Sequence, residues 1–145
     1  VNDGWRLART TLANERIAMA TGTALGNPME ELLRVLAAME LDAAQQDRLA
    51  RLILLAQAGA LLDQRIAQLA VGGKDPGAQS SVRKLIGVRY RQELAEFAMD
   101  VSDGGGLVRN RAVFDFLNTR CLTIAGGTEQ ILLTVAAERL LGLPR

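Results

Sequence analysis

The sequence predicts an all-α protein, an antiparallel (up-down-up-down) bundle of about four main helices with short extra helices. Three observations predict it. Apolar residues recur at helical spacing nearly throughout, and no segment sustains the alternation of a strand. The breaks between periodic runs are short and built from glycine, proline and capping residues. The chain has 145 residues, 49% hydrophobic and 23% charged, the composition of one ordinary folded domain that buries a core without a metal or a disulfide.

Each element follows from local chemistry. Asp3 is placed to cap a first helix of about 20 residues ending near Gly26. Asn27-Pro28, a cap followed by proline at the first helical position, opens a short helix to about Met39. Asp42 caps a long helix reaching Val71, whose Leu52, Leu55, Gly59, Leu62, Ile66 and Leu69 form a seam for a neighbouring helix. Gly59 in that seam allows close approach. Gly72-Gly73-Lys74-Asp75-Pro76-Gly77 is a firm break. Ser80 or Ser81 then caps a second long helix to about Ser102, with Val82, Ile86, Tyr90, Leu94, Phe97 and Val101 on one face. Asp103-Gly104-Gly105-Gly106 ends it, a short helix spans Ala112 to Leu117, and Thr123 to Thr128 is a loop. Thr128 or a neighbour starts the last helix, which runs to about Leu141.

Composition excludes much chemistry. There is no histidine, so Ser-His-Asp and Cys-His catalysis and His-ligated zinc or haem are excluded within the chain. Cys121 is the single cysteine, so no internal disulfide forms. Any general base is a carboxylate, a lysine, a tyrosine or that thiol. A net charge of +1 and 3% aromatics give no footprint for nucleic acid or an anionic membrane. The longest apolar stretch, Leu52 to Leu62, is interrupted by Gln57 and falls short of the roughly 20 residues of a membrane span. No basic segment of a signal peptide opens the chain, so a cytoplasmic location is expected. The chain begins at Val1 and enters a helical pattern almost at once, which reads as a piece of a longer polypeptide.

Few residues stand out as chemical candidates. Winding the first helix at about 100° per residue puts Trp5, Ala8, Leu12 and Met19 at about 140°, 80°, 120° and 100°, with Glu15 at about 60°, against that apolar stripe. Partial desolvation there strengthens a carboxylate as a base near neutrality; the other reading pairs Glu15 with Arg16 or a neighbouring helix. Gly126-Gly127-Thr128 precedes a helix, where free N–H groups favour an anion or a polarised oxygen; the plain alternative is a loop with an N-cap. Glu129 is the acidic residue expected at a helix start. The Gly104 run reads as a helix terminator, and Cys121 as a structural cysteine ahead of a reactive thiolate.

Three stretches, in order, resemble the C-terminal helical domain of the FAD-dependent acyl-CoA dehydrogenases. Gly4-Trp5 with Leu12 and Glu15-Arg16 resembles the family's GW…L..ER helix. Pro76-Gly77, Ser80-Ser81 and Lys84-Leu85 resemble its PG..SS..KL entry to a long helix. Thr123 through Ile131, with Leu140 to Arg145, resembles the C-terminal signature. The resemblance covers essentially the whole chain. It implies that residues 1–145 are the third part of an enzyme whose N-terminal helical and middle β domains are not in this sequence.

It further implies oxidation of an acyl-CoA to the α,β-enoyl-CoA, with a glutamate taking the α-proton and the β-hydride passing to flavin. Electrons then go to an electron-transfer flavoprotein or another acceptor. Many members place the base just before the glycine-threonine pair, where this chain has Gly126; others place it at the match to Glu15, with Arg16 beside it at the substrate. The backbone N–H at Gly126 is implied to hold the thioester carbonyl. Gly104, Gly127, Thr128 and Gln130 match positions at or near the FAD. Members assemble as homodimers or homotetramers through this bundle. Some bacterial relatives form heteromers in which one subunit lacks a working FAD site or base. The family's R..FG motif is absent here, Leu133 stands where many relatives have arginine, and Asp100 where many have a flavin-contacting glutamine. Two other readings remain: a non-catalytic assembly subunit of a heteromeric dehydrogenase, and a free-standing helical interaction module.

Overall fold

The computed structural model describes residues 3–20, 27–102 and 105–144, with the side chains at 13, 14, 16–20, 27, 28 and 105 outside that description. The described residues form six α-helices and no strand: α1 (Gly4–Ala20), α2 (Asn27–Leu36), α3 (Ala43–Val71), α4 (Gly77–Val101), α5 (Arg111–Thr119) and α6 (Glu129–Leu140). Short 3-10 turns lie at Gly105–Leu107 and Arg120–Thr123. The all-α bundle expected from the periodicity is present. Its main long helices are α3 and α4, joined by a five-residue break that folds one back on the other.

The helix α4 is the hub, packed by α1, α3, α5 and α6. Ser80, Ser81, Arg83, Lys84, Gly87, Val88, Tyr90, Leu94, Ala95 and Phe97 are all buried on it. At about 100° per residue these positions cover roughly 200° of its circumference, far more than one neighbour occupies. Tyr90, Leu94 and Phe97 enclose the core with Met29, Leu32 and Leu36 of α2 and Leu52 and Ala56 of α3. Each large apolar side chain fully withdrawn from water there contributes about 1.5–3 kcal/mol. Exposed charge pairs brace the outside. Arg48 of α3 donates to Asp100 of α4 at 2.5 Å and lies 5.4 Å from the Phe97 ring centre. Arg120 donates to Glu96 at 2.8 Å and lies 4.6 Å from the Phe116 ring centre.

Caps explain most boundaries. Asp42 accepts the Gln45 N–H at 2.8 Å while Gln45 Oε1 accepts the Asp42 N–H at 2.9 Å, a reciprocal capping box. Asn110, not anticipated, caps α5 by accepting the Val113 N–H at 2.9 Å and moves its start to Arg111. The expected cap at Ser80 or Ser81 is corrected: α4 begins at Gly77, and both serines lie buried inside it. Their hydroxyls donate back to the carbonyls of Pro76 and Gly77 at 3.0 and 3.1 Å. Asp75 does the work at the helix start, its carboxylate accepting the Gly77 N–H at 2.9 Å. The second helix ends at Leu36, three residues early, and the end of the first near Gly26 lies outside the described residues.

Candidate functional site

The segment Ile124 to Thr128 turns the chain from the second 3-10 turn into α6. Thr128 is extended (φ −65°, ψ 158°), and its hydroxyl accepts the Ile131 N–H, the expected N-cap. Gly126 and Gly127 have φ of +67° and +106°, values that L side chains seldom adopt, so two glycines are required for the chain to turn here. Lys84, only 1% exposed on α4, donates through Nζ to the carbonyl of Ala125 and, at 2.5 Å, to that of Gly127. Sequence reasoning saw Lys84 only as part of a motif; a lysine amid buried positions of a long helix was the signal that it has an inward role. The N–H groups of Gly126, Gly127 and Thr128 find no acceptor among the described residues. Three unengaged donors at a helix N-terminus are a set that a thioester carbonyl or the oxygen and nitrogen acceptors of a flavin ring fit. In that respect the chain suits FAD.

Beside the turn lies a cleft of about 570 Å³ between α4, the second 3-10 turn and α6, bordered by Lys84, Gln92, Leu122, Glu129, Leu132 and the exposed Leu133. Arg89 at its edge donates to Glu93 at 2.7 Å, and that bond raises its guanidinium above the ordinary value. A second cleft of about 480 Å³ separates α2, α4 and α5, with Leu32, Val35, Leu94, Ala98 and Asn110 among its walls.

The remaining predicted residues are placed separately. Glu15 is half-buried on α1, without an ion-pair partner among the described residues, and lines neither cleft. The stripe expected to desolvate it is left open among the described residues: Trp5 is 75% and Leu12 44% exposed. Gln130 is exposed on the first turn of α6. Gly104 and the side chain of Arg16 lie outside the described residues. Asp100 is engaged with Arg48. Cys121 is exposed, its thiol 3.1 Å from the Asn118 carbonyl, so it is no core cysteine. Among the described residues no cluster of acidic and sulfur side chains fits a metal, and no helix is long and apolar enough to cross a membrane.

Sequence reasoning also missed two buried groups on α4. Arg83 is fully buried and forms a two-point pair with Asp63 of α3 at 2.8 and 2.6 Å, leaving its Nη1 without a partner among the described residues. Tyr90 is fully buried, its hydroxyl without a partner among the described residues, and burial pushes its pKa up to about 12.

Comparison with known proteins decides the family. The model described as acyl-CoA dehydrogenase, C-terminal domain, matches residues 2–141. The chain belongs to the acyl-CoA dehydrogenase family. It is 90% identical over 145 residues to acyl-CoA dehydrogenase FadE34 of Mycobacterium tuberculosis, a match covering 100% of this chain and 20% of FadE34. Acyl-CoA dehydrogenase IpdE1 of Mycolicibacterium smegmatis is 33% identical over 148 residues, with 99% of this chain and 38% of the relative covered. IpdE1 of Mycobacterium tuberculosis is 35% identical over 155 residues, covering 99% and 39%. The chain thus spans a minor part of each relative's length. The glycine-threonine turn and the PG..SS..KL entry are the parts of this acyl-CoA dehydrogenase domain that the fold joins, through Lys84.

Proposed function

We propose that the chain is the C-terminal helical domain of an FAD-dependent acyl-CoA dehydrogenase whose N-terminal helical and middle β domains precede it. The match over residues 2–141 carries this reading; the unengaged donors at the start of α6 support it. Glu15 takes the α-proton of a bound acyl-CoA, and Arg16 borders the substrate. The Gly126 N–H holds the thioester oxygen, where charge develops as the α-carbon is deprotonated; one oxyanion-hole donor is worth about 2.7–4 kcal/mol in acyl transfer. The pair of electrons left on the α-carbon forms the new double bond as the β-hydrogen departs as hydride. FAD, when bound, would supply the hydride acceptor, with an electron-transfer flavoprotein or another acceptor as the expected electron partner. Gly127, Thr128 and Gln130, with Gly104, are the residues of this chain that would hold it. The exposed apolar stripe of α1 is covered by the other domains or by a second subunit, which completes the desolvation of Glu15.

The test is Glu15→Gln in the full-length protein. The amide keeps shape and cannot accept a proton. Single-turnover flavin reduction is expected to slow by about 10² to 10⁴ while FAD content and thermal midpoint hold. An unchanged rate per folded enzyme sinks the assignment. A second reading, a non-catalytic subunit of a heteromeric dehydrogenase, is favoured by Asp100 being tied to Arg48 and by the exposed Leu133. Little FAD in the full-length protein alone, restored by a partner subunit, would select it.

A further inference from the structure

We infer that Lys84 is a positioning residue for the proposed reaction, its ammonium aiming the N–H donors of the 124–128 turn; the inference rests on the acyl-CoA dehydrogenase reading above. The described peptide bonds are all trans. In a trans peptide the C=O of one residue and the N–H of the next point in opposite directions. Lys84 draws the carbonyls of Ala125 and Gly127 toward α4. It thereby turns the N–H groups of Gly126 and Thr128 away from α4, in a turn where the left-handed φ of Gly126 and Gly127 leaves the backbone otherwise free to choose.

The ammonium has a second effect. A cation on the Ala125 carbonyl polarises that peptide and makes the attached Gly126 N–H a stronger donor. Preorganised donors act where charge appears in the transition state, so Lys84 acts on kcat more than on KM.

The experiment uses the full-length flavoprotein as wild type, Lys84→Met and Lys84→Gln. The probe is a coenzyme A thioester ¹³C-labelled at the carbonyl. Its acyl group is whichever short, medium, long or steroid side-chain substrate the wild type turns over fastest. In the wild type the bound carbonyl stretch should fall below its value in water. In Lys84→Met that shift should shrink and kcat drop by about 10- to 100-fold, per mole of folded, FAD-loaded enzyme, with KM moving far less. Lys84→Gln, which keeps a neutral donor and tolerates the site better, should fall between. A full shift and an undiminished kcat in the folded variants overturn the inference and leave the dehydrogenase reading standing, making Lys84 only a clip for the turn. Failure of every thioester to reduce the wild-type flavin overturns that reading, and the inference with it.

Discussion

Arg83 carries a charge into the centre of the bundle, and among the described residues the carboxylate that answers it is Asp63, itself 44% exposed at the side chain. Removing one partner of such a pair strands a buried charge, whereas removing both does not. Asp63→Ala should cost about 2–3 kcal/mol, somewhat under the loss for a wholly buried pair. Asp63→Ala with Arg83→Met should recover most of it; denaturant unfolding of the two variants checks the order, and an additive double loss contradicts it. Tyr90 gives a pH test. Its pKa is about 12 folded against 10.0 for the free side chain, so the neutral form is favoured in the fold. The corresponding stability is whole below pH 10 and is lost as pH rises toward 12. Tyr90→Phe also removes an unpartnered hydroxyl, so it should be at least as stable as wild type at neutral pH. Its advantage should widen above pH 10 in parallel denaturant titrations; a constant gap would contradict the burial argument. The Thr128 cap and the Gly126-Gly127 turn were legible because their neighbours in sequence set the local conformation. Lys84 and Arg83 were not, because their partners lie 41 to 43 and 20 positions away.

At the scale of elements, local chemistry fixed what local chemistry reaches. The Asp42 and Thr128 caps stand where side-chain oxygen meets the first free N–H groups of α3 and α6. The start of α4 was misread because serine, a good cap in isolation, bonds equally well to the carbonyl four residues back once inside a helix. The seam on α3 was legible in Leu52 and Gly59, both buried. The apolar stripe of α1 was legible as a stripe and not as a surface: Trp5 and Leu12 remain exposed, as do Leu54 and Leu61, one heptad apart on α3. Periodicity reports that a face is to be covered, not by what. Faces of this kind are partner surfaces, and we expect this chain to form dimers or larger species in light scattering at micromolar concentration. A strict monomer would argue against an interface built from these helices.

For the whole molecule, the organisation is a hub helix with its neighbours arranged around it, and α4 delivers a buried cation to two of them, Arg83 to α3 and Lys84 to the turn before α6. That turn offers donors but no carboxylate, and Glu15 stands on another helix with its stripe uncovered. In the function proposed above, further domains close over a site so divided. The direct measurement is anaerobic: acyl-CoA added to the purified full-length protein, and separately to this 145-residue chain, with the flavin spectrum recorded. The account predicts bound FAD and bleaching of its visible absorbance in the full-length protein, and no flavin reduction by the chain alone. A full-length protein whose bound flavin no acyl-CoA reduces, or turnover by the isolated chain, would contradict it.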